Sequence, residues 1–215
     1  MAAADYEIHH PLFARLYARQ SVQAEGKGIA DQRARMLAGV HGRVIEVGAG
    51  NGLNFALYPS AVSEVVAVEP EPYLRERAET AAGDAGVPVS VVAGVAEQLP
   101  VPDETFDVGV ASLVLCSVSE PRLALRELHR VIRPGGELRF NEHVVSERRG
   151  LAVLQRGLDV LWPYVAGGCH MSRDTGALLD EAGFKIETVE RFTFSIPPLD
   201  PPKPHILGIA RRREG

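Results

Sequence analysis

The sequence predicts one α/β domain in which a mainly parallel sheet is wound by helices on both faces. The chain has 215 residues, which is enough to bury a central sheet and its flanking helices. Apolar residues make up 46% and charged residues 24%, the balance of an ordinary globular protein. Beyond about residue 40, short apolar runs alternate with segments of helical periodicity. That alternation is typical of β-α-β units, so we expect a doubly wound α/β fold.

The N-terminal part is predicted to be helical over residues 9–38. An apolar stripe ends near Gly39 and contains Leu12, Phe13, Leu16 and Tyr17. Strands are predicted after this helix at 43–47, 65–69, 89–93, 107–112 and 136–142, and then at 185–194 and 205–211. A turn rich in proline joins the last two strands, with prolines at Pro197, Pro198, Pro201, Pro202 and Pro204.

The helix from Pro121 to Ile132 has the clearest pattern. Ser119 can cap it and Pro121 stands early in it, where the missing N–H costs nothing. We expect the helix to end at the sequence Pro134-Gly135-Gly136.

Composition excludes several functional classes. A net charge of −5 gives no basic surface for nucleic acid. The two cysteines, Cys116 and Cys169, cannot build a disulfide framework, so a reducing cytoplasm is expected. No signal peptide is recognisable, and no apolar run approaches the ~20 residues of a membrane span. We expect a cytoplasmic protein without integral membrane association. Monomer and homodimer both remain open.

A glycine-rich loop follows the first predicted strand and has the sequence E-V-G-A-G-N-G. Its glycines, Gly48, Gly50 and Gly52, allow a backbone to approach a ligand without side chains in the way. The spacing differs from the G-x-G-x-x-G of dinucleotide-binding loops, and an acid, Glu46, precedes the glycines. That acid would repel a pyrophosphate but attract the ammonium group of an amino-acid-like ligand. The loop therefore favours a nucleotide-like cofactor with an amino-acid part.

Glu69 ends the second predicted strand, 21 residues after Gly48. Ligands of open α/β sheets bind at the carboxyl ends of the strands, and a carboxylate there can accept two hydrogen bonds from a ribose diol. Nicotinamide dehydrogenases use an acid in the same way, so Glu69 does not discriminate between cofactors.

The fourth predicted strand begins at Asp107 and runs into Ser112, Leu113 and Cys116. An apolar run of this kind indicates a central buried strand. A lone cysteine after it is usually a small buried hydrophobic residue, because a reactive thiol needs an electropositive setting. We assign Cys116 no covalent role.

Four segments taken together resemble the class I S-adenosylmethionine-dependent methyltransferases of the type 11 group over about residues 40–145. They are E-V-G-A-G-N-G, the strand that ends at Glu69, A-E-Q-L-P-V-P-D-E-T-F-D and H-R-V-I-R-P-G-G-E-L. The segments L-V-L-C-S-V, N-E-H-V and P-H-I-L-G-I-A are similar to the methyltransferase-like proteins that methylate alkyl thiols. Those relatives carry an N-terminal hydrophobic anchor; we expect this chain to lack one, so the resemblance does not imply membrane association.

The resemblance implies a Rossmann-like sheet of seven strands with the last strand antiparallel, and S-adenosyl-L-methionine as cofactor. It divides the single domain 1–215 into a helical cap (1–40), a cofactor-binding core (41–145) and a substrate-side lid with C-terminal strands (146–215). The implied cofactor residues are Glu46, Gly48, Ala49, Gly50, Gly52, Asn54, Glu69, Pro70, Ala96, Glu97, Ser112 and Leu113. Relatives often carry an acid where this chain has Val95, so Ala96 or Glu97 is expected to contact the adenine.

The resemblance favours methylation of a small apolar thiol, whose thiolate is the nucleophile. His143 and Glu142 stand at the carboxyl end of the fifth strand and are the candidate catalytic residues; His143 is the expected base or substrate orienter. Trp162 and its neighbours suggest a hydrophobic wall, although ordinary helix packing explains them as well. We expect His205 to be structural unless it lines the pocket.

Other functions stay open. Carbon, oxygen or nitrogen methylation of a quinone precursor or another small metabolite remains compatible with this sequence, as does a cofactor-binding module without catalysis. A nicotinamide-dependent oxidoreductase is disfavoured by the glycine spacing and by the absence of a Y-x-x-x-K pair. The seven histidines and two cysteines show no metal-ligand spacing such as C-x-x-C, so no metal is expected.

Overall fold

The computed structural model describes residues 10–195 and 203–214. One sheet of seven strands runs through it in the order β3-β2-β1-β4-β5-β7-β6. The strand bounds are β1 Gly42–Val47, β2 Val62–Val68, β3 Val89–Val92, β4 Phe106–Ser112, β5 Ile132–His143, β6 Phe184–Phe194 and β7 Lys203–Arg212. The pairs among β1 to β5 are parallel, whereas β7 runs antiparallel to both β5 and β6. The predicted fold class is confirmed.

Strand β1 lies inside the sheet, beside the central strand β4, because its side chains are largely apolar on both faces. Val44, Ile45 and Val47 are fully buried between the parallel neighbours β2 and β4. The order of strands reverses between β1 and β4, so the loop after β1 opens at the crevice where ligands of such sheets bind.

Helices cover both faces of the sheet. Their bounds are α1 Pro11–Ala24, α2 Ala30–Leu37, α3 Pro72–Gly83, α4 Pro121–Val131, α5 Arg149–Leu158, α6 Trp162–Val165 and α7 Thr175–Glu181. Helix α4 buries Ala124, Leu125, Leu128 and Val131 against the sheet, which is the face that its periodicity predicts. The predicted cap is wrong, since Glu120 and not Ser119 precedes the first turn and no side chain caps it.

The sequence Pro134-Gly135-Gly136 lies inside β5 and is not the terminator that we predicted. Helix α4 ends directly in the strand at Ile132, which pairs with Phe106. The next registered pair joins Val108 to Glu137, so the residues between them bulge out of the ladder. Glycine suits such a bulge, and Gly135 has a φ of 72°.

The N-terminal helix is broken where one continuous helix was predicted. Lys27 and Gly28 leave helical geometry, with a φ of 106° at Gly28, and separate α1 from α2. The stripe also differs from the prediction: Ala14 and Ala18 form the buried face of α1, while Leu12 is 82% exposed.

Two further predictions concern the proline-rich turn and membrane-spanning helices. Four prolines of the predicted proline-rich turn lie outside the described residues, whereas Pro204 belongs to β7. Within residues 10–195 and 203–214, no helix is long and apolar enough to cross a membrane.

Candidate active site

The loop after β1 is held in a shape that only glycine adopts easily. Gly48, Gly50 and Gly52 have φ values of 62°, 58° and 77°. A Cβ on Gly48 would lie 2.4 Å from Val114 Cγ2, and one on Gly52 would lie 2.8 Å from Phe55 Cε2. The N–H groups of Gly48 and of the buried Ala49 donate to the carbonyl of Val68 at 2.8 and 3.2 Å. Protein packing thus requires these glycines, independently of a ligand.

Helix α1 lies across this loop. A Cβ on Gly50 would meet the Tyr17 ring at 3.3 Å. Ser21 Oγ donates to Asn51 Oδ1 at 3.4 Å, and Asn51 Nδ2 donates to the carbonyl of Ala18 at 3.5 Å. Burial raises the pKa of Tyr17. The sequence named Tyr17 only as part of an apolar stripe, and the structure places it over the glycine loop.

Glu46 is buried behind the loop with two hydrogen-bond donors. Asn54 Nδ2 donates to Glu46 Oε1 at 2.8 Å, and the Tyr58 hydroxyl donates to Glu46 Oε2 at 2.7 Å. Removal from water raises the pKa of this carboxyl to about 7, against the opposing effect of the two donors. Both protonation states of Glu46 are therefore accessible near neutral pH.

A buried cation, Arg33 of α2, was not found from the sequence. Its Nη1 donates to Asn54 Oδ1 at 2.9 Å, so Asn54 is bound on both sides. Its Nε donates to Glu25 at 3.1 Å, in the kink between α1 and α2. A single arginine in a polar helix gives no sequence signal. Only the fold shows that α2 directs it towards Glu46.

The end of β2 offers carboxylate oxygens as hydrogen-bond acceptors. Glu69 Oε2 accepts from the N–H of Gly50 at 2.7 Å, and Glu69 Oε1 accepts from the N–H of Glu71 at 3.0 Å. Glu71 Oε2 caps α3 through Leu74, while its buried Oε1 has no partner among residues 10–195 and 203–214. Pro70 stands between the two acids, and its carbonyl accepts from Arg75. This edge has spare acceptor capacity for the two hydroxyls of a ribose.

The predicted adenine contacts lie beyond β3. Ala96 is buried, and Val95 forms a bridge with Gln98. Glu97 Oε1 accepts a hydrogen bond from the N–H of Glu120 at 3.2 Å, which links this loop to the start of α4.

Ser112 and Leu113 end β4 at the crevice. Leu113 has a φ of 60°, unusual for a branched side chain, and its N–H donates to the carbonyl of Asn141 at 2.8 Å. Strained residues of this kind persist where the surrounding structure fixes them, often at functional sites.

Glu142 fixes the loop that follows. Its Oε1 accepts from the N–H groups of Val114 and Leu115, both at 2.9 Å, and its Oε2 accepts from the N–H of Cys116 at 3.0 Å. Burial raises the pKa of this carboxyl, against these three backbone donors. The side chain is fully buried, and all three of these donors belong to the backbone. Such geometry suits a positioning residue better than a base.

His143 lies on the wall of a cavity of about 570 Å³. A volume of this size suits a small molecule. The lining is mainly apolar and combines α1, the kink after it, the end of β4, the lid and the last two strands; it includes Phe13, Leu16, Tyr17, Arg33, Leu113, His143, Trp162, Val165, Cys169, Phe194, Lys203 and His205. The structure therefore brings the predicted His143 and Leu113 to one cavity.

Two cysteine sulfurs approach the same nitrogen of His143. Its Nδ1 lies 3.2 Å from Cys169 Sγ and 3.7 Å from Cys116 Sγ. Hydrogen bonding to Cys116, followed by the contact with His143, lowers the pKa of Cys169. The same contact with Cys169 and burial raise the pKa of Cys116. The thiolate character of this pair therefore resides on Cys169, a residue that was assigned no role from the sequence.

Comparison with known families identifies the chain. Residues 45–140 match the model of the methyltransferase domain. A thiol S-methyltransferase, TMT1B of Rattus norvegicus, is 35% identical over 173 residues, which cover 78% of this chain and 69% of that protein. The chain belongs to the S-adenosylmethionine-dependent methyltransferases.

A further sequence relative and a solved structure are similar to this methyltransferase. TMT1B of Homo sapiens, also named a thiol S-methyltransferase, is 36% identical over 182 residues, 81% of this chain and 73% of that protein. The crystal structure of a putative methyltransferase from Bacillus halodurans C-125 superposes with a TM-score of 0.73 at 19% identity, over 86% of this chain and 98% of the other. The latter similarity concerns the fold alone.

The lid of the methyltransferase contacts the cavity through only part of its predicted hydrophobic wall. Trp162 lines the cavity, as does Val165, which was not part of the predicted wall, whereas Leu154, Leu158, Leu161 and Tyr164 are exposed to solvent. His205 lines the cavity too: its ring packs edge-on against His143 at 4.4 Å, and its Nδ1 lies 2.8 Å from the carbonyl of Lys203.

The residues present fit the cofactor of this family. The unpartnered Glu71 oxygen and the singly bonded Glu69 oxygens can receive the ribose hydroxyls. Glu46, beside the loop, has a pKa of about 7, so its ionised form is accessible near neutral pH and would attract an ammonium. When bound, S-adenosylmethionine supplies a methyl group that its sulfonium makes electrophilic.

Proposed function

We propose that this methyltransferase methylates the sulfur of a small apolar thiol. The observation that carries the proposal is the position of His143 and Cys169 on the wall of a mainly apolar cavity, beside Leu113 at the end of β4. Two relatives at 35% and 36% identity are named thiol S-methyltransferases, which supports the same acceptor class.

The residues of the cavity and those around the glycine loop have separate roles in the proposed reaction. Phe13, Trp162 and Phe194 give an apolar acceptor contact area and exclude water. We propose that Glu46, the glycine loop, Glu69, Ala96 and Leu113 hold the cofactor. The orientation of two bound reactants can supply on the order of 7–11 kcal/mol of the barrier in well-aligned cases.

A thiol must lose its proton before its sulfur attacks. We propose that the imidazole of His143 receives this proton in the metal-free protein, because His143 lines the cavity. Glu142 is a positioning residue: its hydrogen bonds from three backbone N–H groups hold the loop that places Cys116 beside His143.

The test is release of S-adenosylhomocysteine by the purified full-length protein. Small alkyl and aryl thiols are compared with matched phenols, amines and quinols at equal concentration. Thiol-dependent release with the S-methyl product detected by mass spectrometry is the expected result. Methylation of a phenol, an amine or a quinol carbon, with no thiol product, would replace the acceptor class and keep the family.

A further inference from the structure

Cys116, His143 and Cys169 come from three separate parts of the chain and converge at one point. Cys116 lies in the loop after β4, His143 is the last residue of β5, and Cys169 follows α6 in the lid. The candidate ligand atoms of all three lie within 4.8 Å of one another. Both cysteines are buried, so the group is shielded from solvent except through the cavity.

The distances are those of metal ligands. A metal with about 2.3 Å to sulfur and about 2.0–2.1 Å to nitrogen places the two ligand atoms ~3.5 Å apart at a tetrahedral angle. Here the two sulfur-to-Nδ1 distances are 3.2 and 3.7 Å, on either side of that value. The three donors therefore need only small shifts to surround one ion.

We propose that Cys116, His143 and Cys169 form a three-ligand zinc site that opens into the acceptor cavity. Two thiolates and one imidazole are soft and borderline donors, which select zinc over magnesium or calcium. This departs from the expectation of no metal, which rested on spacing along the chain. The ligands are 27 and 26 residues apart, outside any short motif.

The protein backbone holds the three ligands in place without a metal. The N–H of Cys116 is fixed by Glu142, and its carbonyl accepts from the N–H of His170 at 2.8 Å. Gly168 lets the lid approach this closely, since it has a φ of 83° and a Cβ there would lie 2.7 Å from the carbonyl oxygen of Ser117. A preorganised triad of this kind is what a metal site requires.

Three protein ligands leave one tetrahedral position open, as in catalytic zinc sites. That position faces the cavity, because His143 and Cys169 both line it. This part rests on the proposed function: the acceptor thiol coordinates there as a thiolate, and its proton leaves to water because His143 Nδ1 is now a ligand. The sulfur then forms a bond to the methyl carbon. The donor's carbon–sulfur bond breaks, and its electron pair remains on the donor sulfur.

The test begins with the metal alone. Full-length protein is stripped with a chelator under anaerobic conditions, re-loaded with Zn²⁺ and assayed by elemental analysis, and Co²⁺ is bound in parallel. We expect about one zinc per chain and a thiolate-to-cobalt charge-transfer band. Cys116→Ser, Cys169→Ser and His143→Gln should each weaken zinc binding at least about 100-fold, more than typical losses from outer-shell changes. His170→Gln is the matched control, since its Nδ1 points to Asp159; it should keep the zinc.

Circular dichroism and cofactor calorimetry verify that each variant is folded. Failure of wild-type protein to bind zinc, or equal binding by the three ligand variants, overturns the site. Stripped protein that methylates thiols at the rate of the zinc form overturns the coordination of the acceptor and leaves the proposed function intact. Zinc binding without any thiol methylation overturns the proposed function and leaves the zinc site intact.

Discussion

Gly48 and Val114 pack so closely that no side chain fits between them. A Cβ on Gly48 would lie 2.4 Å from Val114 Cγ2, and the φ of 62° is itself unfavourable for any other residue. The loop that is expected to hold the cofactor and the loop anchored by Glu142 thus touch directly.

Gly48→Val should abolish cofactor binding, and Gly48→Ala should reduce it. Overpacking of this kind costs about 1–3 kcal/mol of unfolding free energy, measured by urea denaturation, while calorimetry gives the cofactor affinity. The double variant Gly48→Ala/Val114→Ala removes the clash and should recover part of the stability. Cofactor affinity unchanged in folded Gly48→Val would refute the placement of the cofactor on this loop.

Cofactor affinity should rise with pH across neutrality. The pKa of Glu46 is raised to about 7 in the free protein, and a cationic ligand favours the ionised carboxylate. Calorimetry between about pH 6 and about pH 7.5 should therefore show tighter binding at the higher value. Glu46→Gln is the control, because the pH dependence of its cofactor affinity comes only from titration of the ligand and of other protein groups. Parallel profiles for both proteins would remove Glu46 from cofactor binding.

The same group predicts a change of stability with pH. Because the folded pKa of Glu46 lies above the unfolded value, its contribution to stability is complete below about pH 4.3 and is lost as pH rises through about 7. Glu46→Gln should therefore gain stability relative to wild type as pH rises through this range. Urea denaturation at several pH values measures the difference, and a constant difference would contradict it.

His143→Ala should lower turnover about 10²–10⁴-fold, the usual contribution of an acid–base group. Cofactor affinity should change little, because His143 lines the cavity that we propose for the acceptor. Product analysis after chemical quenching measures the turnover, and calorimetry measures the cofactor affinity. Turnover that survives in the folded variant would leave His143 a structural role only.

Glu142→Ala should act on the loop and on stability. It leaves three backbone N–H groups without their acceptor, and each unsatisfied buried donor costs about 1–3 kcal/mol. We expect a lower unfolding free energy and a higher KM for the acceptor, while the pH profile of kcat keeps its shape. Glu142→Gln retains one acceptor oxygen, so its unfolding free energy and its KM should lie between those of wild type and Glu142→Ala. A profile that loses a titration would make Glu142 the base instead.

Much of the fold follows from local sequence. The apolar runs of β1 and β4, bounded by the glycine loop and Leu113, predict a parallel centre, and β7 was expected to be antiparallel from the family resemblance. The break at Lys27–Gly28 and the bulge at Gly135 were missed. Both adjoin segments distant in the sequence: a Cβ on Gly28 would lie 3.4 Å from Phe194 Cε2, and one on Gly136 would lie 2.8 Å from the carbonyl oxygen of Asp107.

The candidate site was only partly predictable. Glu46, Glu69 and His143 stand at strand ends, where the topology of such sheets places ligands. Arg33 and Cys169 could not be found, since α2 and the lid reach the crevice only through tertiary contacts. Glu142 was predicted to be catalytic because it stands at the end of a strand. The sequence does not show that its carboxylate accepts hydrogen bonds from the backbone of the neighbouring loop instead of facing the cavity.

Helix α1 touches the glycine loop through Tyr17 and Ser21, and the same two residues line the cavity. One helix thus contacts both proposed binding sites. If an acceptor draws α1 towards the sheet, it changes the dissociation of the donor, and linkage requires the donor to change the dissociation of the acceptor by an equal factor. The order in which the two molecules enter and leave then becomes a property of this single helix.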